Sequence, residues 1–374
     1  MQITKNSLLR NTFQLHSWFG LFTGIFLLLL GISGSLLVFY EEQDHWLNKR
    51  LLTVEPAGPR LSLDSLCRIT TARYPAVDGL AWLNPDAEPN QAYNFRIYLN
   101  DTKLHTYDLG IISLNPYTGQ VLREGRNDEL QSGIMQWLFQ FHFSFHLGMP
   151  GAALTAIFGL TMLISILTGL IVYRKFIWKV LTFKVRINRK NWRTISSDLH
   201  RIVGVWTLVL NMVIFFTGFW MNLFAFKKEV WQNELKPTPS NTRFEQSFDR
   251  LLSAAKSQMP DLEPSYVYLP TQPQRQFSVS GNITGQNPIW GRGFISLNAH
   301  TGEVTLLRRP SSMFTEKIEA AVYPLHVGNY GGVLVKSLYV IIGLSPGILS
   351  ITGFFLWVRR KRKKTPSKSL TLTT

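Results

Sequence analysis

The stretch Leu15-His16-Ser17-Trp18-Phe19-Gly20 returns 184 residues later as Leu199-His200-Arg201-Ile202-Val203-Gly204. Further matches keep an offset of 183 or 184 residues: Ser33-Gly34 with Thr217-Gly218, Ile112–Val121 with Ile295–Val304, His142 with His326, and Thr168-Gly169 with Thr352-Gly353. A register held along the whole chain indicates an internal duplication. The sequence therefore predicts two repeats, residues 1–184 and 185–374.

Four stretches lack Asp, Glu, Lys and Arg and are long enough to cross a bilayer: Trp18 to Tyr40, Leu147 to Tyr173, Ile202 to Phe226, and Ser337 to Val358. About 20 apolar residues span the roughly 30 Å hydrocarbon layer. The first stretch is too long for a secretory signal and is followed by no small-residue cleavage site. We therefore expect a membrane α-helical protein with four transmembrane helices, over residues 18–40, 147–173, 201–226 and 332–358. Each repeat holds two of them, so both repeats insert in parallel orientation.

The charges are divided between the two sides of these helices. The N-terminus, residues 174–201 and the tail after Val358 hold 18 basic residues and one acid, whereas the other connecting segments hold 21 and 22. Basic segments stay in the cytoplasm, so both termini are expected there. The net charge of +16 then records topology and predicts no nucleic-acid partner, and the tail 359–374 is expected to bind lipid headgroups.

The exported segments, residues 41–146 and 227–325, have the pattern of small α+β domains. Residues 95–99 and 293–297 alternate as strands do, and each repeat carries an Asn-x-x-Thr-Gly hairpin turn. Residues 61–74 and 247–258 predict short amphipathic helices.

Four of the eight histidines form two pairs related by the repeat. His16 and His200 each lie 17 residues before a Ser/Thr-Gly pair, and His142 and His326 each lie 26 residues before one. A twofold axis lets two imidazoles face each other across a flat cofactor, which favours haem iron with two axial histidines. Zinc fits less well because it takes three or four protein ligands. Nearby glycines would let a porphyrin approach the backbone, or serve helix packing.

His146 lies one helical turn beyond His142, and its counterpart in the second repeat is Tyr330. A local match to His326 also leaves His146 open as an alternative ligand or as a supporting residue, with His142 favoured. His45, His105 and His300 have no symmetric partner and are expected to be ordinary residues of the exported domains.

Other redox chemistry has no sequence support. The single cysteine, Cys67, cannot form an internal disulfide or hold an iron–sulfur cluster. The chain contains no GxGxxG, GxxxxGK[ST], HExxH or GxSxG motif. Electrons must therefore come from a separate donor, either a cytoplasmic reductase or a membrane quinol.

The chain resembles the PepSY-associated transmembrane family of iron-uptake-linked inner-membrane proteins. The motifs that carry the resemblance are Leu15-His16-x-x-x-Gly20, Asp198-Leu199-His200-Arg201-x-x-Gly204, Leu325-His326-x-Gly328, the Thr-Gly pairs, and PepSY-like Asn-x-x-Thr-Gly-x-Val segments. The resemblance implies a haem-containing oxidoreductase that reduces ferric siderophores in the periplasm.

The leading hypothesis is thus an inner-membrane dihaem reductase. His16 and His200 would hold one haem b and His142 and His326 the other, because no CxxCH motif exists for covalent haem. Trp82, Trp137 and Trp290 are candidate contacts for the ferric siderophore. The alternative is a non-enzymatic membrane-anchored PepSY module that binds peptide or regulates a protease.

Overall fold

The computed structural model describes residues 5–98, 110–228, 231, 239–240 and 244–362. The α-helices are α1 (Lys5–Leu37), α2 (Tyr40–Leu47), α3 (Lys49–Leu52), α4 (Leu63–Arg73), α5 (Ile134–Ser144), α6 (Gly148–Leu181), α7 (Trp192–Trp206), α8 (Leu208–Met221), α9 (Phe248–Gln258), α10 (Phe314–Val327) and α11 (Gly332–Arg362). The strands are β1 (Gly79–Trp82), β2 (Tyr93–Tyr98), β3 (Ile111–Leu114), β4 (Val121–Gly125), β5 (Leu262–Pro270), β6 (Gln276–Ile283), β7 (Arg292–Asn298) and β8 (Val304–Arg308). Short 3-10 helices lie at Leu130–Ser132 and Leu223–Phe226.

The chain divides into two compact units. The helical unit comprises Met1–Val38, Leu154–Asn222 and Val333–Thr374, and the sheet unit comprises Phe39–Ala153 and Leu223–Gly332. Each unit therefore takes residues from both halves of the sequence.

Three helices are long and apolar enough to cross a membrane, within Ser7–Leu37, Gly148–Leu181 and Gly332–Arg360. A fourth crossing requires α7 and α8 together, and this pair is bent by 68°. The expected straight helix over residues 201–226 is therefore wrong: α7 begins earlier, at Trp192, and α8 ends at Met221.

Polar side chains account for the bend between α7 and α8. Thr207 Oγ1 donates to the Val203 carbonyl at 2.8 Å, and Asn211 Nδ2 donates to Thr207 Oγ1 and to Ser345 Oγ, both at 2.9 Å. Such bonds compete with the helical ladder and bend helices. Alone, the 14 residues of α8 reach only about 21 Å.

The sheet unit contains one eight-stranded antiparallel sheet in the order β4-β3-β2-β1-β5-β6-β7-β8. The strands β1 and β5 join the two halves, with Gly79 opposite Pro270 and Trp82 opposite Val267. The sequence predicts a separate small domain in each repeat, and the structure instead combines their strands. Pairing β1 with β5 removes two edge strands that separate sheets would expose.

Helices α4 and α9 pack on one face of the sheet and cap each other. Leu63 N–H donates to Asp249 Oδ2 at 2.9 Å, and Phe248 N–H donates to Asp64 Oδ2 at 3.0 Å. A carboxylate satisfies the free N–H groups of a helix start and opposes its dipole. Each helix thus takes a cap from the other half of the chain.

The locally determined elements of the sheet unit are confirmed. The amphipathic helices expected over 61–74 and 247–258 are α4 and α9. In both hairpin turns the asparagine side chain accepts backbone N–H bonds, from Tyr117 to Asn115 at 2.9 Å and from His300 to Asn298 at 2.8 Å. Gly119 and Gly302 follow with φ of 74° and 78°, a conformation that glycine adopts readily.

Candidate functional site

The first histidine pair, His16 and His200, lies in the helical unit. His16 is on α1 and His200 is on α7, and their ring centroids are 6.2 Å apart with the planes at 85°. The structure therefore brings together two side chains that are 184 residues apart in sequence.

Both imidazoles of this pair are held through Nδ1. His16 Nδ1 lies 2.9 Å from the Ser165 carbonyl oxygen, which can only accept, so Nδ1 carries the proton. His200 Nδ1 lies 2.9 Å from Thr352 Oγ1, whose own proton goes to the Ile348 carbonyl at 2.7 Å. Both rings thus adopt the tautomer that leaves the Nε2 lone pair for a metal.

The repeated Thr-Gly pairs form the seats of these imidazoles. A Cβ at Gly169 would lie 3.2 Å from His16 Cε1, and a Cβ at Gly353 would lie 3.4 Å from His200 Cε1. Thr168 Oγ1 also lies 3.3 Å from His16 Nδ1. In the sequence these pairs serve only as markers of the repeat, and their offset from the histidines was the available signal for this role.

Tyr173 on α6 is a member of this site that the sequence does not predict. Its ring centroid lies 6.5 Å from those of both His16 and His200. Tyr173 therefore packs beside the space that the two imidazoles share.

The second histidine pair, His142 and His326, lies in the sheet unit. The ring centroids are 6.4 Å apart and the planes are at 45°. The sequence predicts these residues at the outer ends of two spans. They lie instead on the separate short helices α5 and α10, each close to the helix end.

His146 lies in the turn between α5 and α6 rather than on the face of α5. Its φ is 58°, and its ring stacks on Trp137 with centroids 4.6 Å apart. Both ring nitrogens are buried and find no hydrogen-bond partner in the described part of the chain. Burial lowers the pKa of His146, and the charge of Asp128 partly opposes this. The ring placed opposite His326 is that of His142, and ligation by His146 stays a prediction.

The spacing within both pairs suits one metal atom between two imidazoles. A metal–imidazole nitrogen bond is about 2 Å long. Ring bonds of about 1.33 Å give the five-membered ring a radius of about 1.1 Å. Two imidazoles on opposite sides of a metal then have centroids roughly 6.2 Å apart, close to the 6.2 Å and 6.4 Å observed.

The donor set fits haem better than zinc. Within the described ranges, no three His, Cys, Asp or Glu side chains are grouped as metal ligands. Two nitrogens per site are what a porphyrin iron still requires, whereas structural zinc requires four ligands. One turn after His16, a Cβ at Gly20 would meet no atom within 4 Å, so this glycine leaves open space beside the imidazole.

The remaining predicted residues have other surroundings. Trp82 is buried in the core against Tyr93, which excludes it as a contact for a siderophore, while Trp290 is partly exposed. His300 stacks on Phe244 with centroids 5.3 Å apart, and His45 lies on α2. His105 lies outside the described residues.

The family model described as the PepSY-associated TM region matches residues 13–360. The chain belongs to the PepSY-associated transmembrane family. Both histidine pairs and both Thr-Gly seats fall within the matched residues, which confirms the resemblance found in the sequence.

Another protein similar to this PepSY-associated chain comes from Pseudomonas aeruginosa and is described as uncharacterized. It is 25% identical over 259 residues, which is 60% of this chain. The match spans 63% of the length of that relative. The similarity thus supports common ancestry with another bacterial protein and carries no activity with it.

Proposed function

We propose that this protein is a dihaem b-type oxidoreductase of the bacterial inner membrane that reduces ferric siderophores in the periplasm. The observation that supports it best is the recurrence of one arrangement: two histidine pairs, 6.2 Å and 6.4 Å between ring centroids, each offering two nitrogens. Haem bound at such positions supplies one-electron transfer.

The protein's own residues would hold and isolate the two haems. His16 and His200 offer Nε2 because Ser165 and Thr352 accept the Nδ1 protons. Tyr173 packs against the edges of both rings. The apolar helices around the first pair keep water away from it, which strengthens electrostatic interactions there.

The proposed topology has four transmembrane segments in two parallel-oriented repeats, 1–184 and 185–374, with both termini in the cytoplasm. The bent pair α7–α8 is then one span. The asymmetric distribution of basic residues supports this orientation. A cytoplasmic reductase or a membrane quinol would supply the electrons, and the sheet unit would face the periplasmic ferric siderophore.

The test is the absorption spectrum of protein purified from haem-replete cells, with haem quantified against chain. We expect about two b-type haems per chain, because two bis-histidine sites are proposed. A colourless preparation would contradict the proposal. Mixing the reduced protein rapidly with ferric siderophores tests the substrate, and oxidation no faster than in buffer would exclude this class.

One observation favours a second function, the binding of an extended peptide. Strand β8 ends the sheet, all five of its residues are exposed, and no described strand pairs with its outer edge. Exposed edge strands accept peptides by strand addition. If the protein is colourless yet binds peptide, and Leu306→Lys abolishes the binding, this function is supported instead.

A further inference from the structure

The two faces of the sheet differ in chemistry. On β7, Gly293, Ile295 and Leu297 face the core under α4 and α9 and are buried. Because side chains alternate along a strand, Arg292 lies on the opposite face. That face is more polar, and the Arg292 side chain is only partly exposed there.

Arg292 lacks a carboxylate partner among the described residues. Its guanidinium donates to Ser265 Oγ at 3.3 Å, a neutral group. Burial lowers the pKa of Arg292, and Tyr323 of α10 is the titratable group that opposes this. An arginine taken out of water normally has an anionic partner, since an unpaired buried charge is costly.

Other arginines of the sheet unit do have such partners. Arg123 lies 2.8 Å from Asp44, Arg275 lies 3.4 Å from Asp78, and the exposed Arg309 lies 2.6 Å from Asp261. Against this pattern, Arg292 has the surroundings of a residue whose anion comes from outside the chain.

An open cleft of about 670 Å³ adjoins Arg292. Ser265, which accepts its hydrogen bond, and Asn282, its cross-strand neighbour, both line this cleft. Lys256 adds a second cation, whereas Asp86 and Glu263 provide acceptors. This mixture suits a ligand that presents one carboxylate together with hydrogen-bond donors, and disfavours a polyanion.

Arg292 also neighbours the helix that carries the second histidine pair. Tyr323, with which it interacts electrostatically, precedes His326 by three residues, about one turn of α10. A carboxylate bound at Arg292 would therefore be held next to this helix.

We propose that Arg292 is an anion-binding residue that takes a carboxylate group beside the second histidine pair. This rests on the proposed function, and the carboxylate has two possible sources: a ferric chelate in the cleft, or a propionate of the haem held by His142 and His326. Planar guanidinium groups suit carboxylates because they donate two parallel hydrogen bonds.

The test uses the full-length purified protein and the variants Arg292→Gln, Arg292→Lys and Arg308→Gln. Arg308 is a matched control because it is an exposed arginine on the neighbouring strand β8. Calorimetric titration measures binding of two probes, the ferric complex of a hydroxamate chelator with one free carboxylate and that of the same chelator as its amide.

If the carboxylate belongs to the chelate, Arg292→Gln weakens binding of the carboxylate probe by about tenfold or more and leaves the amide probe unchanged. Arg292→Lys gives a smaller loss, because lysine keeps the charge without the fork. Arg308→Gln binds both probes as the wild type does. If Arg292→Gln does not fold, the loss in Arg292→Lys decides.

If the carboxylate belongs to haem, the probes bind all variants equally, and Arg292→Gln shifts the midpoint potential of one haem or releases it. The proposal is overturned if both Arg292 variants match Arg308→Gln in probe binding, haem content and potential. Calorimetry needs no haem, so a colourless protein would refute the proposed function while the chelate arm still tests Arg292.

Discussion

The two histidine pairs have nearly the same ring spacing but are held by different means. His16 and His200 lie on long apolar helices, and each Nδ1 is bonded to a neighbouring helix. His142 and His326 lie near the ends of the short helices α5 and α10. Equivalent ligand geometry therefore does not require equivalent support, and the two pairs should respond differently to substitutions around them.

The largest expected effect comes from removing one histidine of either pair. His200→Ala and His326→Ala should each lose one haem, about half of the haem per chain, because a bis-histidine site needs both ligands. Quantitative haem spectra of the purified variants measure this. His300→Ala is the control, since His300 stacks on Phe244 away from both pairs. Retention of two haems by His200→Ala would break the comparison at its base.

A substitution beside each histidine of the first pair should separate their supports. Thr352→Ala removes the Nδ1 acceptor of His200, whereas Thr168→Ala leaves His16 bonded to the Ser165 carbonyl. Supporting partners of metal-bound histidines contribute roughly 10- to 100-fold to affinity. We expect haem affinity or midpoint potential to change much more in Thr352→Ala, as redox titration would measure. Equal effects would mean that the hydroxyls do not orient the rings.

The turn after the second pair should make the sheet unit sensitive to acid. Burial lowers the pKa of His146 below its usual 6.5. The unfolded chain then binds a proton that the folded chain resists, so stability present at neutral pH is lost as pH falls below about 6.5. In His146→Gln, the melting temperature should fall less between about pH 7 and about pH 5 than in the wild type. An identical pH dependence in both proteins would contradict this assignment.

The smallest expected effect concerns the glycine seats of the first pair. A Cβ would lie 3.2 Å from His16 at Gly169 and 3.4 Å from His200 at Gly353. Gly169→Ala should therefore disturb its imidazole more, with a modest shift in the haem spectrum, and Gly353→Ala less. Gly20→Ala is the control within the protein, because its Cβ would meet no protein atom within 4 Å. A larger change in Gly353→Ala than in Gly169→Ala would reverse the expected order.

Local signals in the sequence predict local structure well. The hairpin turns at Asn115 and Asn298 follow from side-chain bonds to residues two or three positions away. The histidine pairs were predictable because the repeat offset relates distant residues. The joining of the halves through β1 and β5 was not predictable, since pairing Gly79 with Pro270 depends on the whole sheet.

The bend at Thr207 and the function of Arg292 were missed for a related reason. A search for charge-free stretches ignores Thr207 and Asn211, although their hydrogen bonds interrupt the helix. Arg292 belongs to no motif, and only the surroundings of its guanidinium distinguish it from Arg309, which is paired with Asp261. Burial and pairing are tertiary properties that sequence patterns do not carry.

The exchanged aspartate caps of α4 and α9 have a consequence for synthesis of the chain. When the ribosome has made only the first half, Leu63 lacks its cap from Asp249 and β1 lacks its partner β5. An unfinished sheet edge is prone to wrong association. The nascent sheet unit must therefore wait, unfinished, until about 270 residues have been translated, and only then can the two halves close on each other.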